Sequence, residues 1–179
     1  MYKKAYFLLS ILFFSCEKEQ EVKTIKYFDI KALFSNQIAM LTIQKPVFNK
    51  EVVINSEKEN NEISDINWEK ELSPFIQSDI NKPAFLGSYD IIETDSTLIY
   101  SLKAGEKKPI SSISITKSLL KQQIKFINIA SSDENMLYRW EKELKANFEA
   151  GNLKKYTIEG KQKILVFDEE NYKIVSNRK

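Results

Sequence analysis

From Ile110 to Glu149 the chain alternates polar and apolar side chains, and this period of two constrains its fold more than any other feature. In 110–117, Ile113 and Ile115 alternate with Ser112, Ser114 and Thr116. In 122–130, Ile124, Phe126 and Asn128 alternate with Lys125, Ile127 and Ile129. Such a period puts successive side chains on opposite faces of a strand. Residues 136–149 sharpen the choice, because Trp140-Glu141-Lys142-Glu143-Leu144-Lys145-Ala146 has the composition of a helix. Of the seven even positions from Met136 to Phe148 all but Lys142 are apolar, whereas of the seven odd positions from Leu137 to Glu149 only Leu137 is. The count predicts a strand.

Strands are also expected at 89–93, 97–103, 153–159, 164–167 and 172–175. Turns are expected at Ala104–Lys108, at Gly151-Asn152 and at the acidic stretch Asp168–Asn171. Strands joined this closely make an antiparallel meander the simplest topology. Upstream the period changes. From Thr24, Tyr27, Ile30, Phe34, Ile38 and Leu41 fall on one helical stripe, which Phe28, Leu33 and Met40 widen and Pro46 closes. A hairpin follows, with Val52–Ile54 as one strand, the polar stretch Ser56–Asn61 as the turn, and Ile63 to Ile66 as the return. Trp68, Leu72, Phe75 and Ile76 then suit a second helix, capped by Asp65 or Asn67 and either kinked at Pro74 or restarted there with Ser73 as cap. Asn81–Ser88, with Pro83 and Gly87, reads as a connector. The pentapeptide Trp-Glu-Lys-Glu-Leu occurs at 68–72 and again at 140–144, expected as helix and as strand; the flanks differ, so it is not a repeat. The fold class is α+β: N-terminal helices packed on a large antiparallel β-meander that can curve into a half-barrel.

The N-terminus carries an address. Lys3 and Lys4 precede ten largely apolar residues, Ala5 to Phe14, too few for the roughly 20 that cross a bilayer. Their length and flanking charge suit a signal peptide. Ser15 and Cys16 follow, then the polar run Glu17-Lys18-Glu19-Gln20-Glu21. This segment resembles a bacterial lipoprotein signal, and the resemblance implies that Cys16 becomes the acylated first residue of the mature chain. The organisation is then 1–15 signal peptide, 16–23 lipidated Cys and tether, and 24–179 a single domain. The acidic residues after Cys16 also resemble the export signal of surface lipoproteins in Bacteroidota-type envelopes, which favours the outer membrane over the inner. Helix, hairpin, helix and meander in this order resemble the small uncharacterised lipoproteins of such envelopes. That likeness implies a cell-envelope location and no particular activity. Acylation would account for the lone Cys, and the formal +2 of the whole chain belongs entirely to Lys3 and Lys4.

Composition narrows the chemistry. With no His among 179 residues, Ser–His–Asp and Cys–His nucleophile arrangements are impossible, and one Cys makes neither an internal disulfide nor a thiolate cluster. No Gly-x-Gly-x-x-Gly or Gly-Lys-Ser/Thr offers a phosphate cradle. Asp133-Glu134 and Asp168-Glu169-Glu170-Asn171 lack the spacing of a calcium loop and read as hairpin turns. No cofactor or metal is expected. Lys103, Lys107, Lys108, Lys154, Lys155, Lys161 and Lys163 make basic stretches without the charge excess and aromatic interleaving of a nucleic-acid surface, so no nucleic-acid partner is expected. Tyr100, Tyr138, Trp140, Tyr156 and Tyr172 either line a concave ligand surface or pack beneath a helix, the core reading being favoured.

Three functions remain open. The chain is expected to be a non-catalytic binding or assembly module that engages an envelope protein. The alternatives are a carrier or sensor of a lipid-like ligand held between helices and sheet, and a hydrolase using carboxylates. A cavity above about 300 Å³ between helices and sheet would mark the carrier. A filled core with an exposed apolar patch would mark the binding module. Two facing carboxyl groups about 5–10 Å apart in a cleft would mark the hydrolase.

Overall fold

The computed structural model describes residues 26–179. The expected signal peptide, the expected lipidated Cys16 with its tether, and the expected helix start at Thr24 lie outside the described residues. The elements run α1 (Ile30–Gln44), β1 (Phe48–Ile54), β2 (Glu57–Ile63), α2 (Trp68–Glu71), α3 (Ser73–Gln77), a 3₁₀ turn (Pro83–Phe85), β3 (Tyr89–Glu93), β4 (Thr97–Leu102), β5 (Ile110–Lys117), β6 (Ile124–Glu134), β7 (Tyr138–Glu149), β8 (Asn152–Ile164) and β9 (Glu170–Arg178). All nine strands form one antiparallel sheet, ordered β2-β1-β9-β8-β7-β6-β5-β4-β3. The fold is α+β, and the sheet is open, curved like part of a barrel, with β2 and β3 as its edges. An antiparallel meander runs from β3 to β9 as expected, with seven strands in place of the eight expected, and the β1–β2 hairpin extends it by pairing β1 with β9.

Five local expectations need correction. The helix begins at Ile30, after Asp29 caps it by accepting from the Ala32 amide at 2.8 Å. Residues 26–28 are instead tied to the body of the domain. Asn81 Oδ1 accepts from the Lys26 and Tyr27 amides at 3.0 and 2.8 Å, and the Tyr100 hydroxyl from the Phe28 amide at 2.8 Å. The stretch 56–61 is mostly strand, since Asn55 takes a left-handed φ of 53° and closes a tight turn with Ser56. β2 is an exposed polar edge, so it carries no apolar alternation to read. Residues 153–159 and 164–167 are not two strands: β8 runs unbroken through Gly160, and Leu165–Phe167 lie in the β8–β9 loop. Ser73 does not cap α3, because its hydroxyl donates back to the Lys70 carbonyl at 2.9 Å. The tight turn after β7 centres on Ala150 and Gly151, both at positive φ, one residue earlier than expected.

The helices pack on one face of the sheet. Phe34 of α1 stacks on Phe75 of α3 at 4.4 Å and meets Phe148 of β7 edge-on at 6.1 Å. Phe48 contacts Trp68 at 4.9 Å and Tyr156 at 6.3 Å. These rings, with Ile30, Leu41, Ile113, Ile115, Ile127, Ile129, Leu144 and Ile158, fill the space between helices and sheet. Gln37 is a polar side chain buried among them. Gln37 Nε2 donates to the Gly151 carbonyl at 2.9 Å and Gln37 Oε1 accepts from the Leu153 amide at 2.8 Å, which locks α1 onto the β7–β8 turn. Replacing Gln37 by Leu would strand both backbone groups, at about 1–3 kcal/mol each. The expected outcome is a lower urea midpoint with an unchanged slope, while Asn36→Ala on the exposed side of α1 shifts it little.

Candidate functional site

The helices do not reach the far end of the long strands. Fifteen residues give α1 about 22 Å, whereas the 12 and 13 residues of β7 and β8 span about 40 Å. On the helix-side face the register shows the consequence row by row. Ile129, Leu144, Ile158 and Ile174 form a buried or half-buried row beneath the helices. The next row is Ser131, Lys142, Gly160 and Tyr172, and after it come Asp133, Trp140, Gln162 and Glu170. Tyr138 beside Ile164 ends the series. Burial falls along it, so residues 131–142 and 160–172 form a four-stranded arm beyond the core.

The five aromatic residues singled out from the sequence share this face but not one environment. Tyr100 and Tyr156 are buried under the helices. Tyr100 meets Tyr27 edge-on at 5.3 Å, and burial raises its pKa above the ordinary value. The Tyr156 hydroxyl donates to Glu71 Oε1 at 2.7 Å, and Lys50 Nζ sits on the same carboxylate at 2.6 and 2.8 Å. Burial first, and the Glu71 charge second, push the Tyr156 phenol well up, so it acts as a hydrogen-bond donor. These two are core residues. Tyr138, Trp140 and Tyr172 stand on the arm, exposed or half-buried. Tyr138 donates to Asp133 Oδ2 at 3.1 Å, and Lys142 Nζ lies 5.4 Å from the centre of the Trp140 ring.

Gly160 organises the arm and carried no signal in the sequence. A Cβ there would lie 2.5 Å from the Glu141 carbonyl oxygen and 2.8 Å from the Tyr172 hydroxyl, so the Tyr172 ring covers the glycine. The tips of the arm were also missed as an exposed feature. Met136 and Leu137 in the β6–β7 loop are 91% and 64% exposed, and Leu165, Val166 and Phe167 in the β8–β9 loop are 68%, 78% and 67% exposed. The Leu165 amide donates to the Leu137 carbonyl at 2.9 Å, so the two loops form one apolar tip.

On the opposite face, two cross-strand rows frame a trough of about 560 Å³. One row is Ala130, Glu143, Glu159, Lys173 and Val53, and the other is Ser132, Glu141, Lys161, Asn171 and Asn55. Their charges interlock. Lys145 Nζ bridges Glu143 at 2.6 Å and Glu159 at 3.0 Å, Lys173 reaches Glu159 at 2.7 Å, and Lys161 reaches Glu141 at 3.2 Å. Lys173 and Lys145 hold the Glu159 carboxyl at about 2, and its bond to Glu143 raises Lys145. Held ionised, Glu159 cannot serve as the general acid of a carboxylate pair.

Among the described residues no group of three or more His, Cys, Asp or Glu is placed to hold a metal ion. Among them, too, no helix is long and apolar enough to cross a membrane. Comparison with protein-family models, with curated proteins and with solved structures finds no match for this chain. The site must therefore be read from its own chemistry.

Two outcomes follow from the geometry. Gly160→Ala is expected to displace Tyr172 and destabilise the domain, seen as a lower urea midpoint together with a changed Tyr172 signal in NMR spectra. Glu159 titrates at about 2 in the fold against 4.5 ordinarily, so the stability it contributes is complete above about pH 4.5 and is lost as pH falls toward 2. Lys173→Ala should lower the urea midpoint at neutral pH, with the difference from the parent shrinking over that acid window.

Proposed function

We propose that the chain is a cell-envelope lipoprotein, anchored through acylated Cys16, whose domain is a non-catalytic binding or assembly module. The observation that carries this reading is the arm. It holds Tyr138, Trp140, Tyr172 and an apolar tip in solvent while the core behind it is filled. Scattered surface apolar groups need no explanation, but a contiguous cluster of them marks an interaction site. The aromatic rings packed between helices and sheet support a binding module over a carrier with an internal cavity. The ionised, lysine-bridged Glu159 does not suit the acid of a carboxylate hydrolase. The trough alternates acids and lysines, so it offers nucleic acid no continuous positive track.

A second reading keeps one observation of its own. A surface groove of about 720 Å³ runs between α1 and α3, with Ile38, Ala39, Ile43 and Ile76 in its walls, and its apolar lining suits a lipid-like ligand.

Labelled palmitate is the direct test of the anchor. Expressed in a bacterium with the lipoprotein pathway, the chain should take up label and partition with membranes, and Cys16→Ala should abolish the label. A photoreactive residue at Trp140 or Tyr172 should give discrete cross-linked proteins in intact cells. An unlabelled parent would overturn the anchor, and no cross-link from either position would overturn the binding arm. Native mass spectrometry showing a reproducible co-purified lipid would transfer the argument to the α1–α3 groove.

A further inference from the structure

The apolar tip lies at the very end of the arm, beyond its aromatic residues, and asks for a partner of its own. We infer that the β6–β7 and β8–β9 loops dip into the surface of a lipid bilayer, the same bilayer that holds the anchor; the inference therefore rests on the lipoprotein reading and deepens it. The tip is graded as a bilayer surface is graded. Met136, Leu137, Leu165, Val166 and Phe167 come first and are largely exposed. Tyr138 and Trp140 stand one step behind, the residue types that settle at headgroup level. The opposite face carries paired charges over the same stretch, Arg139 with Glu169 at 3.9 Å and Lys161 with Glu141 at 3.2 Å.

Entry into an apolar medium requires the backbone to satisfy itself. Here it largely does. Asn135 Oδ1 accepts from the Leu137 and Tyr138 amides at 2.8 and 3.1 Å, and the Asn135 amide donates to the Tyr138 carbonyl at 2.8 Å. The Leu165 amide donates to Leu137 and the Phe167 amide to Ile164, both at 2.9 Å.

Charge and chain length point to the same surface. The β4–β5 loop lies at the same end of the sheet as the tip, since antiparallel neighbours turn at alternate ends, and it brings Lys103, Lys107 and Lys108 toward that side. Three carboxylates at this end are engaged within the domain, Asp133 with Tyr138, Glu169 with Arg139 and Glu170 with Gln162 at 2.7 Å, while Glu134 and Asp168 are exposed beside the tip. Lys26 also enters at this end, because the Tyr27 hydroxyl accepts from the Gly87 amide at 2.8 Å just before β3 begins. Nine residues separate Cys16 from Lys26, which reach about 35 Å when extended. Anchor and tip can meet one membrane. A protein partner or a second copy of the chain fits less well, because stable protein interfaces engage roughly 20–30 residues a side, against two short loops here.

The test uses the acylated full chain in vesicles of phosphatidylethanolamine and phosphatidylglycerol carrying brominated acyl chains. Phe167→Trp places a reporter at the tip, while Trp68 in the core and Trp140 behind the tip are common to both proteins. The variant should show a blue-shifted emission and more quenching than the parent. Adding Leu137→Asp and Val166→Asp should remove that excess while palmitate label and membrane partition persist. Equal quenching of parent and Phe167→Trp would overturn the inference, and so would a photoreactive residue at Val166 that cross-links to protein and not to lipid. A labelled, membrane-bound protein without tip quenching refutes the tip alone. A protein that takes no label at Cys16 refutes the anchor alone.

Discussion

A short helical cover on a long sheet sets everything else in this structure. Nine strands at about 4.8 Å spacing make a sheet near 40 Å wide, and β7 and β8 make it nearly as long. One helix of 15 residues and two single-turn helices of four and five cannot hide one face of such a surface. The core therefore forms where α1, α2 and α3 lie, and the same β-strands continue into water. Alternation persists along the strand while its meaning changes. Leu144 and Ala146 are core, Lys142 and Trp140 are half-buried, and Tyr138 is exposed, all on one face.

The strand assignments were legible because that alternation is written residue by residue, and the pentapeptide at 68–72 and 140–144 shows how much it decides. As a helix ending in Leu72, Trp68 and Leu72 turn to the core four residues apart, and Glu71 reaches Tyr156 and Lys50. As part of β7, Trp140 and Leu144 share a face with Lys142 between them, while Glu141 and Glu143 join the ion pairs of the other face. The same five residues serve two geometries. Only the flanking period, 3.6 in one case and two in the other, separates them.

What stayed illegible depends on who sits opposite. Gln37 and Asn81 look like surface polar residues until the fold hands them the backbone groups of Gly151, Leu153, Lys26 and Tyr27. Lys145 meets Glu159 only after β7 and β8 take their register, with a shift near Phe148 that no local pattern announces. Gly160 gives no hint that the Tyr172 ring will lie over it, which only the register of β8 and β9 decides. Leu165-Val166-Phe167 has the composition of a strand and is a loop. Periodicity cannot tell a short apolar run that is buried from one held out for a partner.

The exposed tip is set against a sheet that protects itself elsewhere. β2, one edge, presents Glu57-Lys58-Glu59-Asn60-Asn61-Glu62 to solvent, and charge on an edge strand blocks pairing with other chains. The other edge, β3, is five residues long and so too short to template much, even with Ile91 and Ile92 exposed on it. The open face is laced with acid–lysine pairs. Leu119 and Leu120 in the β5–β6 loop are also exposed, but as a lone pair, whereas at the tip five neighbouring large apolar side chains gather on two tied loops. They need a medium that accepts them, and the polar flanks confine that contact to the tip.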